Sequence, residues 1–183
     1  MDRRSVKRAL AGILVAAGVV AGCATTTTST DVSPKGPSAS ARLLPTKGNR
    51  AAGTVTFTQQ GGKVLVKANV SGLKPNAEHG FHVHEKGDCT ADAMSAGGHF
   101  NPAGAHHGST ASGAHHAGDL PNLKADAAGV ATLTWEETDF TVTDGPASVV
   151  GRSVVVHLDP DDYKNQPAGN SGPRIACGVI ARN

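Results

Sequence analysis

The chain has 183 residues, a length that fits one domain with terminal appendages. Its first 22 residues carry four basic residues and one acidic residue, so the rest of the chain has a formal charge of −1 instead of +2. That balance excludes the basic footprint of a nucleic-acid-binding protein.

The N-terminus predicts a secretory signal over residues 1–22. A basic start, MDRRSVKR, precedes the apolar run ALAGILVAAGVVAG, which is too short to span a bilayer comfortably. The run ends in VAGC, which resembles the lipobox of bacterial lipoproteins. We therefore expect Cys23 to become the lipid-modified N-terminus of the mature chain. The alternative is an ordinary secretory signal followed by an incidental cysteine.

Residues 23–46 predict a flexible low-complexity tether, because they are rich in Thr, Ser, Pro and Ala and have little to bury. The folded domain is then expected over residues 47–183. The chain has three cysteines. If Cys23 carries lipid, Cys89 and Cys177 remain as a pair in an oxidising compartment.

The domain reads as a series of strands. Residues alternate between apolar and polar in TVTFTQ, KVLVKANV and HGFHVH, and later in VATLTWEE, SVVGRSVVVHL and IACGVIA. No segment of ten or more residues has a convincing helical stripe. Two stretches, 86–120 and 159–173, lack strand character, and loops of that length are usually functional. The pattern predicts an all-β antiparallel sandwich or flattened barrel with two long functional loops.

Eight of the nine histidines lie between His79 and His116. In a strand, His82 and His84 would point to the same face and could share a metal ion. Two half-exposed histidines are the commoner meaning of such a pair, and His157 could equally be a histidine at the edge of the core.

The second group of candidates lies in the first long loop. Its members are His99, His106, His107, His115, His116 and Asp119. Imidazoles with a carboxylate suit zinc, which takes nitrogen and oxygen ligands. A histidine-rich tract that binds metals loosely remains the alternative.

Five motifs occur in a fixed order: GFHVHEKGDC, SAGGHFNP, HAGDLPNL, GRSVVVH and GPRIACGVI. Together they resemble the copper, zinc superoxide dismutase family, specifically its exported bacterial branch, from roughly Gly53 to Ile180. The resemblance implies a Greek-key, immunoglobulin-like β-sandwich. It also implies an oxidoreductase that converts two superoxide anions and two protons to dioxygen and hydrogen peroxide through a Cu(II)/Cu(I) cycle.

The resemblance implies one copper and one zinc ion per chain. The copper ligands would be His82, His84, His99 and His157, and the zinc ligands would be His99, His107, His116 and Asp119. In the family, the zinc histidine after HFNP precedes a glycine, which selects His107. The next zinc histidine stands three residues before the aspartate, which selects His116. His106 and His115 are then spare neighbours.

Other roles follow from the same resemblance. Arg174 would dock superoxide beside copper, and His99 would supply a proton. Asp161 would accept hydrogen bonds from the outer nitrogens of the copper and zinc ligands His82 and His107. Cys89 in EKGDC stands where the bacterial branch places its loop cysteine, which supports its pairing with Cys177.

As a member of this family, the protein would protect the cell envelope from extracytoplasmic superoxide. Its partners would be superoxide and, through Cys23, a membrane facing the periplasm or the exterior; a homodimer stays open. A metal-buffering or copper-delivery lipoprotein and a purely structural sandwich are the competing hypotheses. The complete ligand set, the bridging histidine and the anion-docking arginine favour the dismutase.

Overall fold

The computed structural model describes residues 36–111 and 113–183, so the predicted signal segment and Cys23 lie outside the described residues. These residues contain ten strands and one 3-10 helix, Met94–Ala96. The strands are β1 (Ser38–Pro45), β2 (Ala52–Gln60), β3 (Lys63–Ser71), β4 (Glu78–His79), β5 (Phe81–His84), β6 (Leu123–Lys124), β7 (Ala131–Glu137), β8 (Ser153–His157), β9 (Arg174–Val179) and β10 (Ala181–Arg182).

Eight strands form one curled antiparallel sheet in the order β5-β8-β9-β1-β2-β3-β7, with β10 also paired to β1. Strand β1 joins the two halves, because its first six residues pair with β2 whereas Leu44 and Pro45 pair with β9. Strands β4 and β6 form a separate ladder. No helix in residues 36–111 and 113–183 is long and apolar enough to cross a membrane. The predicted all-β antiparallel fold is confirmed.

Alternation of side chains explains how these strands build the core. In β3, Val64, Val66, Ala68 and Val70 point inward and are buried, whereas the residues that alternate with them are more exposed. Full burial of a valine side chain contributes roughly 1.5–3 kcal/mol. Phe57 of β2 packs edge-on against Phe140, with ring centroids 6.0 Å apart. The inward residues of both halves of the sheet thus belong to one core cluster.

The tether predicted over residues 23–46 extends too far. Residues Ser38–Pro45 form strand β1, in which Ala39, Ala41 and Leu43 are buried. The inward residues are mostly alanines, and composition alone made this segment look like a linker. Its period of two is nevertheless that of a half-buried strand. The folded domain therefore begins before the predicted boundary at residue 47.

The long connections follow the prediction more closely. The described residues of 86–120 and 159–173 contain no strand, and the only regular element among them is the 3-10 helix. The run SVVGRSVVVHL is not a single strand, because a turn with Gly151 at φ 81° precedes β8. Glycine adopts this left-handed backbone conformation without steric cost.

Candidate metal centre

Two clusters of buried ligand-type side chains share one histidine. The four-histidine cluster comprises His82, His84, His99 and His157. The carboxylate cluster comprises His99, His107, His116 and Asp119. Within each cluster, one potential ligand atom per residue lies within 4.8 Å of all the others. The structure thus brings together all seven residues that the sequence predicts as ligands.

Strand β5 is the platform for both clusters. His82 and His84 point to the same face of β5, and the opposite edge of this strand bonds to loop backbone. Bridges join His82 to Asp119 and His84 to His99. Because the loop residues pair directly with the strand, the ligands from the loop lie beside those from β5.

A β-bulge places His157 opposite Arg174. Strands β8 and β9 pair Val156 with Ala176, but the register then shifts and His157 pairs with Arg174. Bulges re-aim side chains and are common beside active sites. Without the shift, His157 would pair with Ile175, and Arg174 would leave the face that carries the histidine.

Backbone carbonyls fix the rings of two histidines in the four-histidine cluster. The Nδ1 atom of His84 donates to the Gly97 carbonyl at 3.0 Å, and Nδ1 of His157 donates to the Gly172 carbonyl at 3.1 Å. A carbonyl only accepts, so both protons lie on Nδ1. The two Nε2 atoms then face each other at 3.3 Å with lone pairs only. A cation between them removes that repulsion.

Asp119 organises the carboxylate cluster. Its Oδ1 lies 2.7 Å from Nδ1 of His99 and 3.4 Å from Nδ1 of His116, while Oδ2 lies 3.1 Å from Nδ1 of His107. Its Oδ2 also accepts hydrogen bonds from the backbone N–H groups of Gly108 and His116. Three imidazole nitrogens thus converge on one carboxylate, a donor set suited to tetrahedral zinc.

Asp161 connects the two clusters. Its Oδ2 accepts a hydrogen bond from Nε2 of His82 at 2.7 Å, and its Oδ1 accepts one from Nε2 of His107 at 2.9 Å. Asn122 holds Asp161 through two hydrogen bonds of 2.9 Å to its backbone. Such outer partners fix the orientation of ligand rings and leave the other nitrogen free for a metal.

The unpartnered nitrogens show that the residues fit two metal ions. Five buried side-chain atoms in the described chain have no hydrogen-bond partner. Four of them are ligand nitrogens, namely Nδ1 of His82, Nε2 of His99, Nδ1 of His107 and Nδ1 of His116. Buried polar atoms are rarely left unsatisfied. Their concentration in these clusters is explained by ligation.

Burial favours the neutral form of three histidines in the four-histidine cluster. Burial and the neighbouring His99 lower the pKa of His84 well below its ordinary value, and burial and His82 do the same to the pKa of His157. Burial and His82 also lower the pKa of His99 to about 4. Neutral imidazoles offer the lone pairs that a metal needs.

In the carboxylate cluster, neighbouring side chains favour the charged forms of Asp119 and His107. Burial disfavours ionisation of Asp119, but the close imidazole nitrogens of His107, His116 and His99 hold its pKa well below the usual range. Burial likewise disfavours a charged His107, yet the Asp119 carboxylate beside its Nδ1 and the hydrogen bond from its Nε2 to Asp161 raise its pKa to about 9. A metal at this cluster would therefore displace a proton from His107.

Arg174 lies beside the four-histidine cluster in a cleft of about 360 Å³ that His84, His99, His157 and Pro167 also line. Its guanidinium donates hydrogen bonds to the Ala93 carbonyl at 2.5 Å and to the Gly97 carbonyl at 2.6 Å. These bonds use part of the guanidinium fork and leave other N–H donors for an anion. The predicted docking residue therefore lies beside the predicted copper ligands.

The disulfide between Cys89 and Cys177 is confirmed, with an S–S distance of 2.04 Å and a Cα–Cα distance of 5.7 Å. It links the first long loop to strand β9, which also carries Arg174. The loop that the disulfide holds supplies both carbonyls that receive the hydrogen bonds of Arg174.

His106 and His115 belong to neither buried cluster. His106 is exposed, and Nε2 of His115 lies 3.0 Å from Asp139 Oδ2. This placement agrees with the register that selects His107 and His116.

Sequence reasoning missed three supporting residues. His79 is buried and its Nδ1 donates to the His157 carbonyl at 2.9 Å; its place in HGFHVH was the available signal. The side chain of Gln166 makes two hydrogen bonds of 2.9 Å with the backbone of His107. Asn122 supports Asp161, as described above. Nothing in the local sequence marks Gln166 or Asn122.

An all-β scaffold that buries two ligand clusters joined by one histidine defines a metalloenzyme of the two-metal type. Residues 51–180 match the family model described as copper/zinc superoxide dismutase, and the chain belongs to this family. It is accordingly an oxidoreductase that acts on superoxide and binds copper and zinc. The prediction of the family is confirmed.

Proposed function

We propose that this dismutase is an exported bacterial lipoprotein that removes superoxide in the cell envelope. The disulfide supports an oxidising compartment, and the EKGDC motif supports the bacterial branch. In this proposal, the signal predicted over residues 1–22 directs export, and the lipid predicted on Cys23 attaches the protein to a membrane.

In this proposal, the four-histidine cluster binds copper and the carboxylate cluster binds zinc. The observation that carries the assignment is the pair of lone-pair nitrogens on His84 and His157, which face each other at 3.3 Å. An all-imidazole set suits copper, and imidazoles with a carboxylate suit zinc. Copper, when bound, supplies one-electron transfer in both directions, whereas zinc has no redox chemistry.

Arg174 binds the substrate anion. Its charge attracts superoxide into the cleft, and its two carbonyl partners hold the guanidinium in one orientation. A fixed donor array loses little conformational entropy when the anion arrives. This positioning favours capture beside the four-histidine cluster.

His99 holds a proton for the product. The overall reaction consumes two protons for each hydrogen peroxide. The Nε2 atom of His99 is buried, has no protein hydrogen-bond partner and belongs to a residue that lines the same cleft as Arg174. Its Nδ1 faces Asp119 in the carboxylate cluster; a zinc ion bound there would take the Nδ1 lone pair, so the ring would stay in place and remain neutral with a proton on Nε2.

Two experiments test this function. Reconstitution with copper and zinc, followed by elemental analysis and a superoxide-removal assay, should give one ion of each metal per chain in the buried clusters and full activity. Several loosely held ions, or zinc without activity, would favour metal buffering instead. In cells, Cys23→Ser should release the protein from membranes, whereas Thr28→Ser should leave it bound. If Cys23→Ser stays on the membranes as Thr28→Ser does, the lipid anchor is contradicted.

A further inference from the structure

A third group of ligand-type side chains lies outside the two buried clusters. His115, Glu137 and Asp139 each place one potential ligand atom within 4.8 Å of the other two. Glu137 ends strand β7 and Asp139 follows it, whereas His115 belongs to the loop that carries His116. The group therefore joins two parts of the chain that are distant in sequence.

The ring of His115 is oriented as a metal ligand. Its Nδ1 lies 3.1 Å from the Gly113 carbonyl, which only accepts a hydrogen bond, so the first proton lies on Nδ1. The Nε2 atom then faces Asp139 Oδ2 at 3.0 Å. With Nδ1 bonded to the Gly113 carbonyl, Nε2 is the nitrogen that a metal ion between His115 and Asp139 would take.

Glu137 adds a fixed, buried negative charge. The residue is only 4% exposed, and its Oε1 accepts hydrogen bonds from the N–H groups of Thr138 and Asp139 at 2.7 and 3.1 Å. Its Oε2 accepts only the indole N–H of Trp135 at 3.2 Å, which leaves a lone pair on that oxygen. No Lys or Arg of residues 36–111 and 113–183 forms an ion pair with Glu137. A buried carboxylate without a cationic partner is costly.

We propose that His115, Glu137 and Asp139 form an accessory Zn²⁺ site. One imidazole and two carboxylates are ligands that zinc prefers, and water would complete a tetrahedral set. The three ligand atoms lie within 4.8 Å of one another, and no Lys or Arg of the described residues pairs with either carboxylate, so a divalent ion would supply the positive charge that the group lacks. Bound zinc fastens the loop of His116 to the end of β7.

The test uses the full chain, already loaded with one copper and one zinc ion and titrated with Zn²⁺ in a calorimeter. We expect one further zinc per chain, and we expect its binding to raise the melting temperature by mass action. His115→Gln and Asp139→Asn should each lose this third metal ion and the shift in melting temperature. The matched control is His106→Gln, an exposed histidine of the same loop, which should retain both.

Three results would overturn the proposal. The first is that the wild-type chain binds no additional zinc. The second is that both site variants bind it as well as the wild type does. The third is that His106→Gln loses the third metal ion to the same extent as the site variants. The last result would indicate loose binding by the histidine-rich loop. The buried copper and zinc are measured in the same samples, so a variant that lost them through misfolding would be recognised. The second site variant would then decide the question.

Discussion

Replacing Arg174 with alanine isolates the effect of one cation on the capture of superoxide. At about 5 Å from an arriving anion and an effective dielectric of about 20, a unit charge contributes at most roughly 3 kcal/mol. Arg174 is partly exposed in an open cleft, so solvent reduces this contribution. A remaining effect of about 1.4–2.7 kcal/mol corresponds to a tenfold to hundredfold loss of rate. Both metals should be retained.

The assay is superoxide removal by metal-loaded protein over a range of ionic strengths. Salt screens the charge of Arg174, so the wild-type rate should fall as salt rises and the gap to Arg174→Ala should narrow. Arg174→Glu should be slower than Arg174→Ala because it repels the anion. Arg182→Ala is the control, because this substitution removes the same charge at a different place. Arg182 lies on strand β10, pairs with Asp144 at 2.6 Å and does not line the cleft.

Two outcomes would refute this reasoning. Unchanged activity of Arg174→Ala at low ionic strength would remove the residue from anion capture. Loss of copper would make its role structural. Copper could be lost in this way because the Gly97 carbonyl accepts hydrogen bonds from both Arg174 and His84, so the loss of Arg174 can disturb the ring of His84.

Three further predictions concern the metal sites and the scaffold. By elemental analysis, His116→Ala should lose the zinc of the carboxylate cluster and His106→Ala should keep it; the reverse would mean that the register is off by one. Reduction of the disulfide should lower the free energy of unfolding by roughly 2–5 kcal/mol in denaturant titrations, and an unchanged midpoint would argue against its structural role. Gly169→Ala would set a Cβ against the Asp161 carboxylate and should weaken zinc binding by roughly tenfold to a hundredfold. Gly104→Ala has the same φ of 64° but open space, so equal losses would implicate backbone strain alone.

The strands that the sequence predicted are those with large apolar residues at alternate positions. In β3, valine or alanine occupies every second position, and the structure has this strand almost as predicted. Strand β1 has the same period, but its inward positions are mostly alanine, and Ser and Pro surround them. The prediction of a tether therefore followed the composition of this segment and overlooked its strand periodicity. The neighbouring strands supply the apolar area that alanines lack, and that contribution is not visible in the segment itself.

The metal ligands could be predicted because the family motifs fix their residue types and spacing, whereas the backbone that aims them could not. Ala91, Asp92 and Ala93 have consecutive positive φ angles of 52°, 53° and 65°. Left-handed geometry costs non-glycine residues roughly 1–2 kcal/mol each, so local propensity argues against this run. The hydrogen bond from Arg174 to the Ala93 carbonyl stabilises it after the chain has folded.

Two hydrogen-bond acceptors each hold two functional side chains, which makes the site sensitive to the local backbone. Asp161 accepts hydrogen bonds from one residue of each cluster, His82 and His107. The Gly97 carbonyl accepts from Arg174, the proposed docking residue, and from His84 of the four-histidine cluster. Each acceptor therefore holds two functional groups at a fixed separation, and residues that share a partner do not act additively. We therefore expect the proposed copper binding, zinc binding and anion docking to be coupled through these two acceptors, so that a substitution at one site affects its neighbour.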